Sequence, residues 1–310
     1  MGRFVLRRAA QALVVLFVLS VATYGLIGLM PGDPLDMMLA NSPGATPEVI
    51  AHLRAIYGLD QPLPVRYWHW LVAALGGDLG ASRLHHLPVL QVLAPALVRT
   101  CWLMVGSFAL SVVFSLALGV LAARRPGGWT DALVSLLSLG GISVPVFWLA
   151  LVLILVFAVQ LHWVPASGAG EGTWRELVLP VTTLTLATTG GFTRYVRAAL
   201  IESLRMDHVR TARAKGVPER RVILVHGLRP ALIPVVTVMA LQFGTLFSGA
   251  LITETMFGIE GMGKTIYDAI QGNDFNLALA GLLFAAAITL LSTLAADLLY
   301  AWLDPRVGLR

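Results

Sequence analysis

The stretch GIEGMGKT, Gly258–Thr265, matches the phosphate-cradling pattern G-x-x-x-x-G-K-[ST] letter for letter. Taken alone it would make the chain an α/β nucleotide-binding protein. A phosphate loop, however, follows a β-strand and opens a helix. Here the preceding residues, Ala231–Leu251, form an apolar run as long as a membrane helix. No apolar strand ending in Asp is at hand to hold magnesium. The glycines therefore read as a re-entrant or surface turn between two membrane spans, and the fold as all-α in a membrane.

Composition agrees. The chain has 310 residues, of which 57% are hydrophobic and 13% charged, and its mean hydropathy is +0.79. A soluble domain carries about 25% charged residues. A net charge of +5 would suggest nucleic acid in a soluble protein, but in a membrane protein it reflects Arg and Lys gathered on cytoplasmic loops. The single cysteine, Cys101, excludes an internal disulfide and a Cys-based metal cluster.

A bilayer core needs roughly 20 mainly apolar residues per helix. Six stretches qualify: Ala9–Met30, Cys101–Ala123, Ala132–Val159, Leu177–Ala199, Ala231–Leu251 and Leu277–Leu303. The fourth is punctuated by Thr182, Thr183, Thr185, Thr188 and Thr189, whose hydroxyls either bond to their own helix or line a path for polar cargo. Pro145 and Pro234 can bend their spans. Sixteen of the 22 Arg and Lys residues fall on the side that carries both termini, which assigns that side to the cytoplasm. The first apolar run exceeds a signal-peptide core, and no small-x-small cleavage site follows before Pro31-Gly32-Asp33-Pro34, so the first helix reads as retained. We divide the chain into residues 1–98, the first helix with an outer segment, and 99–310, the main transmembrane domain with a cytoplasmic loop at about 200–230. Tyr67, Trp68, Trp70 and Trp102 suit the membrane interface.

The informative loop is MDHVRTARAKGVPERRVILVHGLRP, Met206–Pro230. Asp207 can cap a first turn, Gly216 suits a helix C-terminus, and Pro218 suits the start of a second helix. A short helix over Asp207–Lys215, a turn and a helix over Pro218–Leu228 follow. Composition alone leaves two other readings open. One is a merely basic cytoplasmic loop; the other is a helix-turn-helix DNA reader, which tethering to spans at both ends disfavours.

Here the sequence resembles a known family, the ABC importer permeases. Ala212-x-Ala214-x-Gly216, then about a dozen residues, Leu228 and Pro230, resembles their cytoplasmic signature, Glu-Ala-Ala, three residues, Gly, nine residues, Ile-x-Leu-Pro. Aligned on Gly216, the acidic position is Arg210 and the proline comes one place late. Against the dipeptide, oligopeptide and nickel branch the departure shrinks. FVLRR near the start, PGDP, GLDQPLPVRY at Gly58–Tyr67, GDLGAS at Gly77–Ser82, ETMF at Glu254–Phe257, GMGKTIYDAI at Gly261–Ile270, Asp274-Phe275 and LDPR at Leu303–Arg306 all look like that branch. Glu260 departs from it, standing where a proline usually precedes the Gly-x-Gly.

The resemblance implies a type I importer permease with six membrane helices and both termini cytoplasmic, in a bacterial or archaeal cell membrane. It implies a homologous second permease, two cytoplasmic ATPases that bind ATP and magnesium, and an extracytoplasmic binding protein. This chain would then hold no cofactor and no catalytic residue. The loop helix would dock in an ATPase through Arg210, Thr211, Ala212, Ala214 and Gly216, with Asp207 at its start and Arg213 and Lys215 as rim charges. Peptides head the cargo of that branch, with nickel, metal chelates, glutathione and sugars also open. Gln242, Ser248 and Glu254 are candidates for lining the pathway, although the same span is rich enough in Gly and Ala for tight helix packing. Asp297 reads as a helix-pairing or capping acid near the cytoplasmic face. His52, His69, His85, His86 and His162 lie outside without Cys or carboxylate partners at ligand spacing, so no metal site is expected. An ion-gradient-driven secondary transporter is the alternative, but repeats and midplane charges are lacking. A membrane enzyme would need a nucleophile–base pair or HExxH, and neither is seen.

Overall fold

The computed structural model describes residues 2–28, 60–167 and 174–303. Pro31–Pro34, His52, the start of Gly58–Tyr67 and the residues after Leu303 lie outside the described residues.

The described chain is helical almost throughout. Helix α1 (Gly2–Gly28) is followed by α2 (Leu63–Leu75), which starts after Pro62. Helix α3 (Val89–Ala123) is the longest, with 35 residues. Next come α4 (Trp129–Ser143) and α5 (Val146–Leu153), the latter continuing as a π-helical stretch, Ile154–Gln160. Helix α6 (Trp174–Leu204) leads into the short α7 (Asp207–Ala214). A single turn, α8 (Glu219–Arg221), passes through π-helical Val222–Gly227 into α9 (Leu228–Phe257). Helices α10 (Met262–Gln271) and α11 (Phe275–Leu303) complete the order.

Among the described residues four helical stretches are long and apolar enough to cross a membrane: Val5–Gly28, Val89–Ala123, Glu219–Gly244 and Phe275–Leu299. The third expected span is broken, since α4 and the α5 stretch meet at 102° and count as one more crossing only if taken together. Pro145 explains the break. Its ring excludes the preceding residue from helical backbone, and Val144 is extended, with φ −84° and ψ 123°. Pro234, by contrast, lies inside α9 without ending it. Helix α6, at 31 residues, would reach about 46 Å. It is long enough to span but is not among the stretches that pass on composition. The second loop helix also differs from expectation, because nothing after Arg221 stops it and it runs on into α9.

The centre is built from α3, α6 and α9, which press Leu103, Met104, Leu184, Phe192, Val196, Val235, Met239 and Leu246 together. Small residues let the helices close. A Cβ on Gly119 would fall 2.5 Å from the Val196 side chain, and one on Gly190 would fall 2.4 Å from the Ser138 carbonyl. The α6 threonines mostly bond to their own helix: Thr183 to Leu179 O, Thr188 to Leu184 O and Thr189 to Thr185 O, at 2.8, 2.8 and 2.6 Å. Thr188 also meets the Ser111 hydroxyl of α3 at 2.5 Å. Helix α1 lies against α11, where Arg8 pairs with Asp297 at 3.3 Å, so that acid joins two helices.

Candidate functional site

The loop Met206–Val217 folds as a self-contained knob. Met206 is extended and Asp207 begins α7 without a side-chain cap. Asp207 instead sits in the first turn, where a carboxylate suits the helix dipole, and faces Arg210 at 3.4 Å. At the other end the Gly216 N–H bonds to Arg213 O and the Val217 N–H to Ala212 O, at 2.9 and 3.2 Å. That double closure needs a left-handed residue between helix and exit, and Gly216 supplies it with φ +74°.

Val209 and Ala212 turn inward onto Val222, with Leu204 and Val217 alongside. Ala212, expected at a docking surface, is therefore part of the knob's own core and only 6% exposed. Asp207, Arg210, Thr211, Arg213, Ala214, Lys215 and Gly216 are exposed. Arg213 forks onto Glu219 at 2.7 and 3.2 Å, and this pairing raises the guanidinium further above its ordinary range, so the rim charge persists at any working pH.

Helix α6 runs from the knob to a cavity of about 670 Å³. Ser135 and Ile142 of α4 form one wall, Thr188, Arg194 and Tyr195 of α6 another, and Gln242 of α9 a third. Arg197, on the same lining, reaches Asp131 at the start of α4 through two charge-assisted bonds of 2.5 and 2.7 Å. Asp131 also accepts the Gly127 N–H at 2.8 Å and is 4% exposed. This clamp between α4 and α6 was not found from sequence. Its one signal was an acid immediately before an apolar run.

Of the pathway candidates, Gln242 reaches the cavity, whereas the Ser248 side chain lies outside the described residues. Glu254 lies elsewhere, fully buried at the far end of α9. It accepts the Thr100 hydroxyl of α3 and the Lys264 N–H of α10, the latter at 3.0 Å. The Thr100 oxygen in turn accepts the Met262 N–H at 2.8 Å. GIEGMGKT is thus the joint that packs α10 against α9. Gly258 ends α9 with φ +64°, and Lys264 pairs with Asp268 at 2.5 Å. Next to it Asp274 caps α11 through the Leu277 N–H at 3.2 Å and holds Ser82 at 2.5 Å, tying in the segment before α3. Among the described residues no three His, Cys, Asp or Glu side chains gather as metal ligands.

This helical core carries an exposed knob between two long helices. The same fold is seen in a solved structure described as "Crystal structure of an amino acid ABC transporter with histidines", at a TM-score of 0.53 and 14% identity, covering 70% of this chain and 94% of that one. The chain matches the family described as "Binding-protein-dependent transport system inner membrane component" over residues 115–309 and that family's N-terminal component over residues 1–91. The glutathione transport system permease proteins GsiC of Escherichia coli (strain K12) and Pectobacterium atrosepticum are each 38% identical over 307 residues, 99% of this chain and 99% of theirs. The chain therefore belongs to this family: it is a multi-pass membrane protein and the permease subunit of an ABC importer.

Proposed function

We propose that the chain forms half of an ATP-driven import pathway for a short peptide or glutathione-like solute, and that it couples to ATPase subunits through the knob Met206–Val217. In this reading a homologous permease supplies the other half, two cytoplasmic ATPases bind ATP and magnesium, and an extracytoplasmic protein delivers the solute. The chain is then non-catalytic and needs no cofactor. It crosses the cell inner membrane six times, α6 included, with both termini cytoplasmic. Residues 1–98 serve as anchor and outer segment, and 99–310 as the permease domain.

The observation that carries the reading is the knob itself. Its apolar side chains are spent on its own small core, and its outer face offers Arg210, Thr211, Arg213, Ala214 and Lys215 to a partner. A compact protrusion joined to α6 through Arg205 and Met206 can pass a push to the cavity beside Gln242 and Arg194. Rim charges of this kind govern association more than final affinity. The glutathione name of the full-length relatives supports the solute class.

The test is affinity purification of the tagged chain in mild detergent, followed by reconstitution. Recovery of a second permease and ATPases, with ATP-dependent uptake of glutathione or a dipeptide, is the expected result. Transport by the chain alone under an ion gradient would overturn it.

A further inference from the structure

A second cavity, of about 660 Å³, runs between α1 and α11, away from the knob and the α4–α6–α9 cavity. Its walls change character together. On α1 the lining passes from Arg7, Arg8 and Gln11 to Val14 and Val15; on α11 it passes from Asp297 through Leu294 and Thr293, whose hydroxyl donates to the Thr289 carbonyl at 2.9 Å, to Leu290. Seven residues separate Arg7 from Val14 and likewise Asp297 from Leu290, so each wall becomes apolar about 10 Å further in. That depth is the step from a phospholipid's phosphate to its acyl chains. The charge is also uneven. Asp297 is engaged by Arg8 at 3.3 Å, whereas Arg7 is exposed and makes no ion pair among the described residues. Among the described residues that line the polar end, two guanidiniums face one carboxylate.

We propose that this groove is a binding site for an acidic phospholipid, with the phosphate on Arg7 and Gln11 and one acyl chain along Val14, Val15 and Leu290. Basic pockets between membrane helices hold anionic headgroups, each Arg contributing by charge near the surface. A zwitterionic lipid gains less there. A neutral helix from a partner subunit would cover the apolar part but leave Arg7 unmatched. The arrangement would fasten α1 to α11 beside the Arg8–Asp297 pair.

The test places a reporter in the groove of the whole transporter. In a Cys101→Ser background, Val15→Cys carries a bimane fluorophore, and the assembled complex is reconstituted in vesicles containing brominated phosphatidylglycerol or brominated phosphatidylcholine. The expected result is half-maximal quenching at about fivefold lower mole fraction of phosphatidylglycerol. Arg7→Gln should erase that preference and Arg7→Lys should largely keep it. Equal quenching by the two lipids, a preference unaffected by Arg7→Gln, or quenching present in the isolated chain but lost in the complex would each overturn the site. The last outcome would mean that a partner subunit fills the groove.

Discussion

The turn Gly258–Gly272 and the knob Met206–Val217 are built from the same parts and end up opposite in kind. Each is a short helix, α10 or α7, held between long helices by glycines in turns. In the first the parts close on the protein: Met262, Ile266 and Ala269 are buried, and Glu254 takes donors from α3 and α10. In the knob they close on each other, leaving a charged exterior. The difference separates a segment packed into the protein from one whose surface stays open. It also shows why a motif that looks like a nucleotide site is none. Lys264 is committed to Asp268, and the backbone N–H of Lys264 is committed to Glu254.

The sharpest way to break the comparison is Gly263→Leu. A Cβ at that position would lie 2.7 Å from the Leu251 Cα and 3.0 Å from Glu254, so α10 must lift off α9. We expect a loss of at least about 1–3 kcal/mol, read as a lower melting temperature of the purified chain, with uptake lost as well. An unchanged melt would mean that the turn is not the packed joint described.

Ala214→Trp should do the reverse. Ala214 is exposed at the end of α7, so the melt should hold while ATP-dependent uptake falls by about tenfold or more, the effect of roughly 1–3 kcal/mol of steric misfit at a docking face. Ala212→Trp is the poorer probe, because it breaks the knob's own core. Full uptake by Ala214→Trp would sever the knob from coupling.

Much of this was legible from single residues. Gly216 and Pro218 bounded the knob because few residues accept a left-handed or proline-fixed backbone, and the apolar run before Gly258 exposed the false phosphate loop. Pairings across the chain were not legible. Asp131 and Arg197 are 66 positions apart, and apolar length says nothing about which helices meet. Pro145 suggested a bend but not a break of 102°. The inward turn of Ala212 was readable in principle, since it lies three residues after Val209 on the same helical face.

The Asp131–Arg197 clamp tests whether cavity and knob move as one. Asp131→Ala removes both bonds to Arg197 and the Gly127 N–H bond, but Arg197 is 32% exposed and water can partly replace its two. We expect about 1 kcal/mol of destabilisation and a partial fall in uptake, with ATP hydrolysis by the complex less affected than transport. Equal loss of hydrolysis and transport would make the clamp a general support rather than a link.

The smallest effect belongs to Arg213→Gln. Its partner Glu219 is more than half exposed, and surface pairs of this sort contribute about 0.2–1 kcal/mol, so the knob should keep its fold and its melting temperature. What should change is assembly. If Arg213 steers an acidic rim of an ATPase, its removal slows association at low salt and the deficit shrinks as ionic strength rises toward about 0.15 M, where screening acts within about 8 Å. Stopped-flow recombination of purified ATPase with the reconstituted permease measures this directly. A deficit independent of salt would move Arg213 from the rim to the gripped face. No deficit at any salt would leave Arg210 and Lys215 as the charges that matter.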